Sequence, residues 1–462
     1  MSIHLAALSS RAVGPLFRLD AVAWVMLPLV AVIGAVVVRF AWTYLAGDSR
    51  RGPFLGWLVL ALASVLMLVC AGGLAPLSLG WIGAGVALHR LLLFFPDRPG
   101  ARRAARKKFL VARLGDASLL VAAALLATAY RTGDIGAILA AARAGQGGGP
   151  AVAAAGFLAL AAMLKSAQFP THGWLTEVME TPTPVSALLH AGVINAGGFL
   201  LIRFADVMLL APGVLDVLIA VGGFTALFGG LVMLTQPAVK TALAWSTVAQ
   251  MGFMILECGL ALFPLALLHI VAHSLYKAHA FLSSGGAVER VAAIRRPGPV
   301  AIPDVGAVAR AFLCALALYG VVGAALGLTH KSPQAIALGA ILVFGVAYIL
   351  AQGFADAAPQ ALTRRTALYA VATTAGYFGL QAAATAITAG VLPAAPPPDL
   401  LQWVLIGSAV TSFGVVAVVQ AMFPMWADHP AAAGLRVHLS NGFYVNALFD
   451  RLVGGWSAQA AS

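Results

Sequence analysis

Long apolar runs alternate with short polar connections along almost the whole chain. A helix that crosses a bilayer core needs roughly 20 apolar residues, and about thirteen runs approach that length. They lie near residues 21–45, 53–72, 74–95, 109–130, 151–168, 184–204, 213–235, 241–260, 264–284, 304–328, 333–355, 363–390 and 399–424. The pattern predicts an all-α polytopic membrane protein. It has one transmembrane domain at 21–424, a preceding segment at 1–20 and a tail at 425–462.

Composition supports a membrane protein. Of the 462 residues, 61% are hydrophobic and 10% are charged, whereas soluble domains average about 45–50% and about 25%. The net charge of +12 would suit a protein that binds nucleic acid. The basic residues lie in short loops, however, which favours a topology signal over a nucleic-acid partner.

The loop charges predict an orientation. Basic residues concentrate in alternate loops, most densely between Arg98 and Lys108, a run that also suits a lipid-headgroup anchor. The other basic residues in this set of alternate loops are Arg50, Arg51, Lys240, Arg290, Arg295, Arg296, Arg364 and Arg365. Because cytoplasmic loops carry an excess of Lys and Arg, we expect the N-terminal segment outside and the C-terminal tail in the cytoplasm.

Ionisable residues inside apolar runs are the candidate functional groups, since each costs about 2.5–3.5 kcal/mol to insert. Lys165 ends one run shortly before Pro170. It is either a lysine that snorkels to the headgroups or a buried lysine that exchanges a proton. His190 lies two turns into the next run and is either a hydrogen-bonded core residue or a proton relay.

The stretch "LHIVAHSLYKAHAF" carries three ionisable groups on one side of a helix. His269, His273 and Lys277 are spaced four residues apart, and such a stripe extends about 12 Å along the axis. Two histidines at this spacing suit zinc, but Lys277 would repel a cation and no further ligand is nearby. The stripe therefore favours a proton wire, and we expect no metal site.

A secondary path is predicted in the preceding run. Ser246, Gln250 and Glu257 fall on one helical face, with Lys240 at its start. Glu257 also suits an interfacial position near the outer end. The chain carries no nucleotide loop, haem or iron–sulfur ligand set, or nucleophile triad. We therefore expect no catalytic site and no cofactor in this chain.

The tail has apolar residues at roughly helical spacing, namely Phe443, Tyr444, Leu448, Phe449 and Leu452. One interpretation is a helix that lies at the membrane interface. The other is a segment on which a partner protein docks.

Three motifs carry a resemblance to a known family. "KSAQFPTHGWLTEVMETPTPVSALLHAGVINAGG", "VKTALAWSTVAQMGFM" and "HIVAHSLYKAHAFLSSG" closely resemble the antiporter-like subunits of respiratory complex I and Mrp antiporters. The resemblance implies two inverted five-helix repeats with broken helices and a relay core at 109–286. It also implies a proton path through Lys165, His190, Lys240, His269, His273 and Lys277, with Asp116 as an acidic member.

The chain departs from the respiratory form of this family. Ile82 stands in "GWIG", where those subunits carry a glutamate that pairs with the lysine. The nearby His89 and Arg90 are candidate substitutes, although Arg90 also suits a boundary charge. Lys331 is either the counterpart of the family's second broken-helix lysine or an outer-loop residue. Relative to the respiratory form we also expect two fewer N-terminal helices and no long lateral helix.

These departures are similar to a shorter branch, the B subunits of DAB inorganic-carbon accumulation complexes. That resemblance implies a proton- or cation-translocating subunit in a bacterial inner membrane. It would energise CO2 or bicarbonate uptake together with a large cytoplasmic DabA-like subunit that binds zinc and resembles carbonic anhydrase. The alternative is an ion-pumping subunit of an Mrp-type antiporter or a complex I- or hydrogenase-like complex. The histidines within the apolar runs favour protons over sodium as the transported ion.

Overall fold

The structure is a computed structural model that describes residues 11–13, 16–286, 303–327, 331–355, 358–422, 426 and 429–452. Its packing separates two units. The first takes in Met1–Ala287, Ile387–Pro393 and Asn441–Ser462, and the second Val288–Ala386 and Ala394–Ser440. Parts of the predicted segments 1–20 and 425–462 lie outside the described residues, as do Arg290, Arg295 and Arg296.

The first unit is a bundle of helices. They are α1 Ala21–Tyr44, α2 Arg51–Cys70, α3 Leu74–Leu92, α4 Pro99–Tyr130, α5 Ile135–Arg143, α6 Gly148–Lys165, α7 Gly173–Thr176, α8 Thr183–Ala191, α9 Ala196–Arg203, α10 Ala205–Met208, α11 Pro212–Met233, α12 Val239–Gly259 and α13 Phe263–Leu282. Two short antiparallel strands, β1 Arg11–Val13 and β2 Phe17–Leu19, precede α1.

The second unit is built from α14 Val305–Ala325, α15 Pro333–Gly353, α16 Gln360–Thr388, α17 Leu400–Ala421 and α18 Pro430–Ser440. Its core contains Ala311, Tyr319, Val346 and Phe378. After α18 the chain rejoins the first unit with a single-turn 3₁₀ helix, Gly442–Tyr444, and with α19, Val445–Leu452.

The predicted all-α membrane fold is confirmed. Within the described ranges, eleven helical stretches are long and apolar enough to cross a membrane. Each coincides with one of the predicted runs. The two remaining runs, 74–95 and 363–390, are also helical and correspond to α3 and α16. The inverted repeats stay a prediction.

The membrane helix that carries Lys165 is followed by a break, residues 166–182, before the next membrane helix begins. Helix α6 ends at Lys165, and α8 begins only at Thr183. Between them the chain holds α7, the 3₁₀ turn Val178–Glu180 and a left-handed residue, Ala167, with φ of 50°. Pro170 has no N–H, so it cannot continue the hydrogen bonds of a helix. The break holds the buried polar residues Ser166, Gln168 and His172 outside the long membrane helices.

Helices α11 and α12 approach each other at glycine contacts. A Cβ atom on Gly222 would lie 2.5 Å from the backbone nitrogen of Leu256, and one on Gly259 would lie 2.6 Å from that of Ile219. Small residues let membrane helices pack backbone to backbone. This close packing sets the position of α12 against α11. The α12 side chains Thr247 and Glu257 contact histidines on other helices of the unit.

Candidate proton pathway

Lys165 is buried at the end of α6. Its side chain is 9% exposed, and Nζ donates a hydrogen bond to the Trp81 carbonyl oxygen at 3.4 Å. Nζ also lies 4.3 Å from the centre of the Trp81 ring. The snorkelling alternative is therefore wrong, because a lysine that reached the headgroups would be exposed.

The acidic group near Lys165 comes from α4. Asp116 is 5% exposed, and its carboxylate lies 2.6 Å from Arg113 Nη2. It also attracts Lys165 electrostatically. Ile82 is half-buried on α3. A carboxylate on α4 is thus near the lysine even though α3 carries isoleucine where the respiratory subunits carry glutamate.

Two further basic residues accompany this pair. Lys108 is 5% exposed, and its Nζ donates to the Gly85 carbonyl oxygen at 2.5 Å. His89 is half-buried on α3, with its ring 5.2 Å from that of Phe109. Sequence reasoning missed Lys108, because it belongs to a basic run that is typical of a headgroup anchor.

His190 is fully buried on α8. Its Nδ1 lies 3.1 Å from Thr247 Oγ1, and that hydroxyl donates to the Leu243 carbonyl oxygen. Since the hydroxyl proton is already used, Thr247 accepts a bond from a protonated Nδ1. Neutral His190 then leaves Nε2 free to accept a proton, and Nε2 has no hydrogen-bond partner within the described ranges. Sequence reasoning also missed Thr247.

The stripe on α13 faces the same region. His273 Nε2 donates to the His190 carbonyl oxygen at 3.0 Å. Lys277 is fully buried, and its Nζ donates to the Leu243 carbonyl oxygen at 3.0 Å. The centres of the His269 and His273 rings are 6.0 Å apart. The structure therefore brings His190, His269, His273 and Lys277 into one cluster.

The predicted secondary path is only partly assembled. Glu257 is 4% exposed, and its Oε2 lies 3.0 Å from His269 Nδ1, so this carboxylate is paired inside the bundle. Lys240 Nζ donates to Thr183 Oγ1 at 3.3 Å. Ser246 is half-buried, but Gln250 is exposed and does not line a buried path with Glu257. On α12 it is Thr247, one position beyond Ser246, that faces His190.

Two clusters result from these contacts. One surrounds Lys165 and the other surrounds His190. Among the residues described above, no side-chain hydrogen bond joins Lys165 to His190. Ser166, next to Lys165, donates to the Ile194 carbonyl oxygen at 3.1 Å and ties the break to the turn after α8.

Lys331 has its own polar contact in the second unit. Nζ donates to Gln381 Oε1 at 2.7 Å and lies 5.7 Å from the centre of the Phe378 ring. Partial burial lowers the pKa of Lys331 below its ordinary value. The side chain thus points to α16, which a freely solvated outer-loop lysine would not do.

The tail packs on the break in the first unit. Lys107 is 2% exposed, and its Nζ lies 2.5 Å both from Glu177 Oε1, in the break, and from Asp450 Oδ1, on α19. Asn446 Nδ2 donates to Thr176 Oγ1 at 3.2 Å. The outward side of this segment exposes Tyr444 and Leu448. Sequence reasoning found the tail pattern but missed these polar partners.

A buried histidine in the break was also missed. His172 is fully buried, and its ring lies 5.1 Å from Trp245 and 5.3 Å from Phe228. Its only sequence signal is its place two residues after Pro170 in the broken segment.

The bundle, the broken helix and the buried basic clusters define an antiporter-like membrane subunit. A family model described as NADH:quinone oxidoreductase/Mrp antiporter, TM, matches residues 71–297. The probable inorganic carbon transporter subunit DabB2 of Halothiobacillus neapolitanus is 37% identical over 433 residues, covering 93% of this chain and 78% of that relative. The probable inorganic carbon transporter subunit DabB of Hydrogenovibrio crunogenus is 47% identical over 273 residues, covering 57% of this chain and 52% of the relative.

The same architecture occurs in a solved assembly. In the Mrp complex from a Dietzia species, one chain superimposes with a TM-score of 0.61 and 25% identity, covering 95% of this chain and 52% of that one. This chain belongs to the antiporter-like membrane subunit family, with the DabB-named proteins among its relatives. Its matches span 78% of one curated relative and about half of another.

Proposed function

We propose that this protein moves protons across a bacterial inner membrane and thereby energises inorganic carbon uptake by a complex. The observation that carries the proposal is the pair of buried basic clusters around Lys165 and His190. Most of their basic groups donate to backbone carbonyl oxygens instead of to fixed carboxylates. Such groups can give up a proton without leaving a buried negative charge unpaired.

The proposed path starts at one face of the membrane and ends at the other. On α13, Lys277, His273 and His269 follow one another toward Glu257. Lys165 and Asp116 form the second cluster. Water between the clusters would complete the path, with Ser166 and the turn after α8 on its border. A proton that moves down 100 mV releases about 2.3 kcal/mol, which is available to a coupled reaction.

The coupled reaction belongs to a partner in this proposal. The relatives are named as inorganic carbon transporter subunits. We propose a large cytoplasmic DabA-like partner that holds zinc and hydrates CO2, with this chain as its ion-conducting subunit. The N-terminus would lie outside and the tail in the cytoplasm. The exposed Tyr444 and Leu448 would then face the partner.

Growth tests the proposal directly. A bacterium without carbonic anhydrase does not grow in ordinary air, and co-expression of this chain with its DabA-like partner should restore growth. Lys165→Ala should abolish the rescue, whereas Arg39→Ala, which removes an exposed cation from α1, should leave it intact. Rescue that persists with Lys165→Ala and with a proton uncoupler would contradict the proposal and indicate a passive anchor.

The alternative is an ion-pumping subunit of an Mrp-type antiporter or of a respiratory complex. The family model and the similarity to a chain of an Mrp complex favour it. In that case the chain would copurify with antiporter or quinone-reductase subunits. It would also fail to rescue the strain even with a DabA-like protein present.

A further inference from the structure

We propose that Lys108 is a second proton-carrying residue of the pathway and that it shares one proton with Lys165. Its role in transport rests on the proposed function. The pairing of the two lysines rests on the geometry of α3, α4 and α6.

The surroundings of Lys108 differ from those of its neighbour in the chain. Lys107 has two carboxylate oxygens at 2.5 Å, from Glu177 and Asp450. Lys108 is equally buried, but no carboxylate lies within 4.0 Å of its Nζ in the part of the chain that the structure describes. Its hydrogen bond goes to the Gly85 carbonyl oxygen. Adjacent residues on a helix point about 100° apart, so one lysine faces the tail and the other faces α3.

Gly85 is the meeting point of several cations. A Cβ atom on Gly85 would lie 3.9 Å from Lys165 Nζ and 3.6 Å from Arg113 Nη2. With Lys108 Nζ at 2.5 Å from the Gly85 carbonyl oxygen, the two ammonium groups lie within about 10 Å of each other.

The charges around this point do not balance if both lysines are protonated. The polar groups that face Lys108 are the Gly85 carbonyl and His89 from α3, Arg113 and Asp116 from α4, and Lys165 from α6. Arg113 stays charged and already pairs with Asp116. Two further buried cations would repel each other, and each also loses its hydration on burial. Together these costs disfavour the doubly protonated pair, so one shared proton is the resting state in this proposal.

A proton can then pass between the two lysines. An N–H bond of the Lys165 ammonium breaks, the proton crosses water, and an N–H bond forms on the neutral Lys108 amine. The total charge of the pair does not change. From Lys108 the next titratable group on α3 is His89, which was predicted as a substitute for the missing glutamate. Where the respiratory subunits pair lysine with glutamate, this chain would pair lysine with lysine.

Competitive acylation tests the pairing without measuring transport. The purified full-length protein is treated with acetic anhydride from pH 6 to pH 11, and mass spectrometry quantifies modification at each lysine, since only neutral amines react. Lys165→Met should shift the midpoint of Lys108 modification by about one pH unit to higher pH, because a repelling charge is removed. Lys108→Met should shift Lys165 in the same way. Arg106→Met, which removes an exposed cation from α4, should leave both midpoints unchanged.

Two results would overturn the inference: midpoints that do not respond to the partner lysine, or a Lys108 amine that stays unreactive up to pH 11. Proton flux measured with the same proteins in liposomes separates the two proposals. Coupled midpoints without any flux would contradict the proposed function and leave the lysine pair intact. Proton flux with midpoints that do not respond to each other would support the proposed function and contradict the lysine pair.

Discussion

At the scale of single residues, the buried cations fall into two chemical groups. Lys165 and Lys277 donate to backbone carbonyl oxygens, which favour the charged amine only modestly. Lys107 and Arg203 instead contact carboxylates at 2.5 Å. Since breaking a buried ion pair leaves an uncompensated charge, we assign the second group to stability and the first to proton transfer.

The Asp20–Arg203 pair provides a prediction about stability. Asp20 Oδ2 lies 2.5 Å from Arg203 Nη1, and both side chains are buried. Asp20→Asn should lower the free energy of unfolding by about 3–5 kcal/mol, because the Arg203 guanidinium loses its counter-charge. A thermal unfolding scan in detergent measures the change. Asp48→Asn, at an exposed pair with Arg50, is the control and should have little effect.

The same pair predicts a pH dependence. Burial alone would raise the pKa of the Asp20 carboxyl, but Arg203 and Arg18 together hold that pKa below its ordinary value. A carboxyl with a lowered folded-state pKa stabilises the fold above about pH 4 and loses that contribution as the pH falls further. The Asp20→Asn protein should therefore lose less stability than wild type between about pH 4 and pH 2.

At the scale of elements, two features position the site: the break between α6 and α8, and the close packing of α11 on α12. The break ends α6 at Lys165 and buries Ser166 and His172 beyond it. The glycine contacts hold the α12 face that carries Thr247 and Glu257 against the rest of the first unit.

The glycine contacts can be tested with a matched pair of substitutions. Gly222→Ala places a Cβ atom 2.5 Å from the Leu256 backbone nitrogen, whereas Gly230→Ala, on the same helix, meets open space. The first change should destabilise the protein by about 1–3 kcal/mol through overpacking. The second should be neutral or stabilising by up to about 1 kcal/mol, because alanine favours helix. Equal unfolding midpoints for the two variants would contradict the proposed packing role.

The contact between the tail and the break predicts a local effect. Asp450→Asn removes one of the two carboxylates that contact Lys107. The ion pair between α4 and α19 is then lost, so the packing of α19 on the first unit should weaken. Amide hydrogen exchange over residues 441–452 should become about tenfold faster, which corresponds to about 1.4 kcal/mol of local stability. Asp97→Asn, an exposed acid elsewhere, is the control. Unchanged exchange in the tail would show that Asp450 does not hold it.

The sequence was sufficient to find the helices and most of the candidate cluster. Long apolar runs leave few alternatives in a bilayer, and the spacing of His269, His273 and Lys277 places them on one face. It did not reveal which side of α12 meets His190, because Ser246 and Thr247 differ by only 100° and the neighbouring helix decides between them. Nor did it separate Lys107 from Lys108, since their roles depend on contacts with distant parts of the chain.

At the scale of the whole molecule, a membrane bundle shared with the family holds a particular arrangement of charge. The family defines the membrane bundle. Within that bundle this chain carries the Asp116 carboxylate on α4 and isoleucine at position 82. Its tail contacts the broken helix directly, so a partner that binds the tail would contact the segment that follows Lys165. Under the proposed function, partner binding would therefore be linked to the proton path through one short element.

Whether the purified protein carries protons across a membrane can be measured in liposomes. Proteoliposomes with a pH-sensitive dye inside would be given a membrane potential, and the rate of internal acidification would be recorded. Wild-type protein should acidify the interior, and Lys165→Ala should reduce the rate at least tenfold, to that of empty liposomes. Acidification by the Lys165→Ala protein at the wild-type rate would contradict the account.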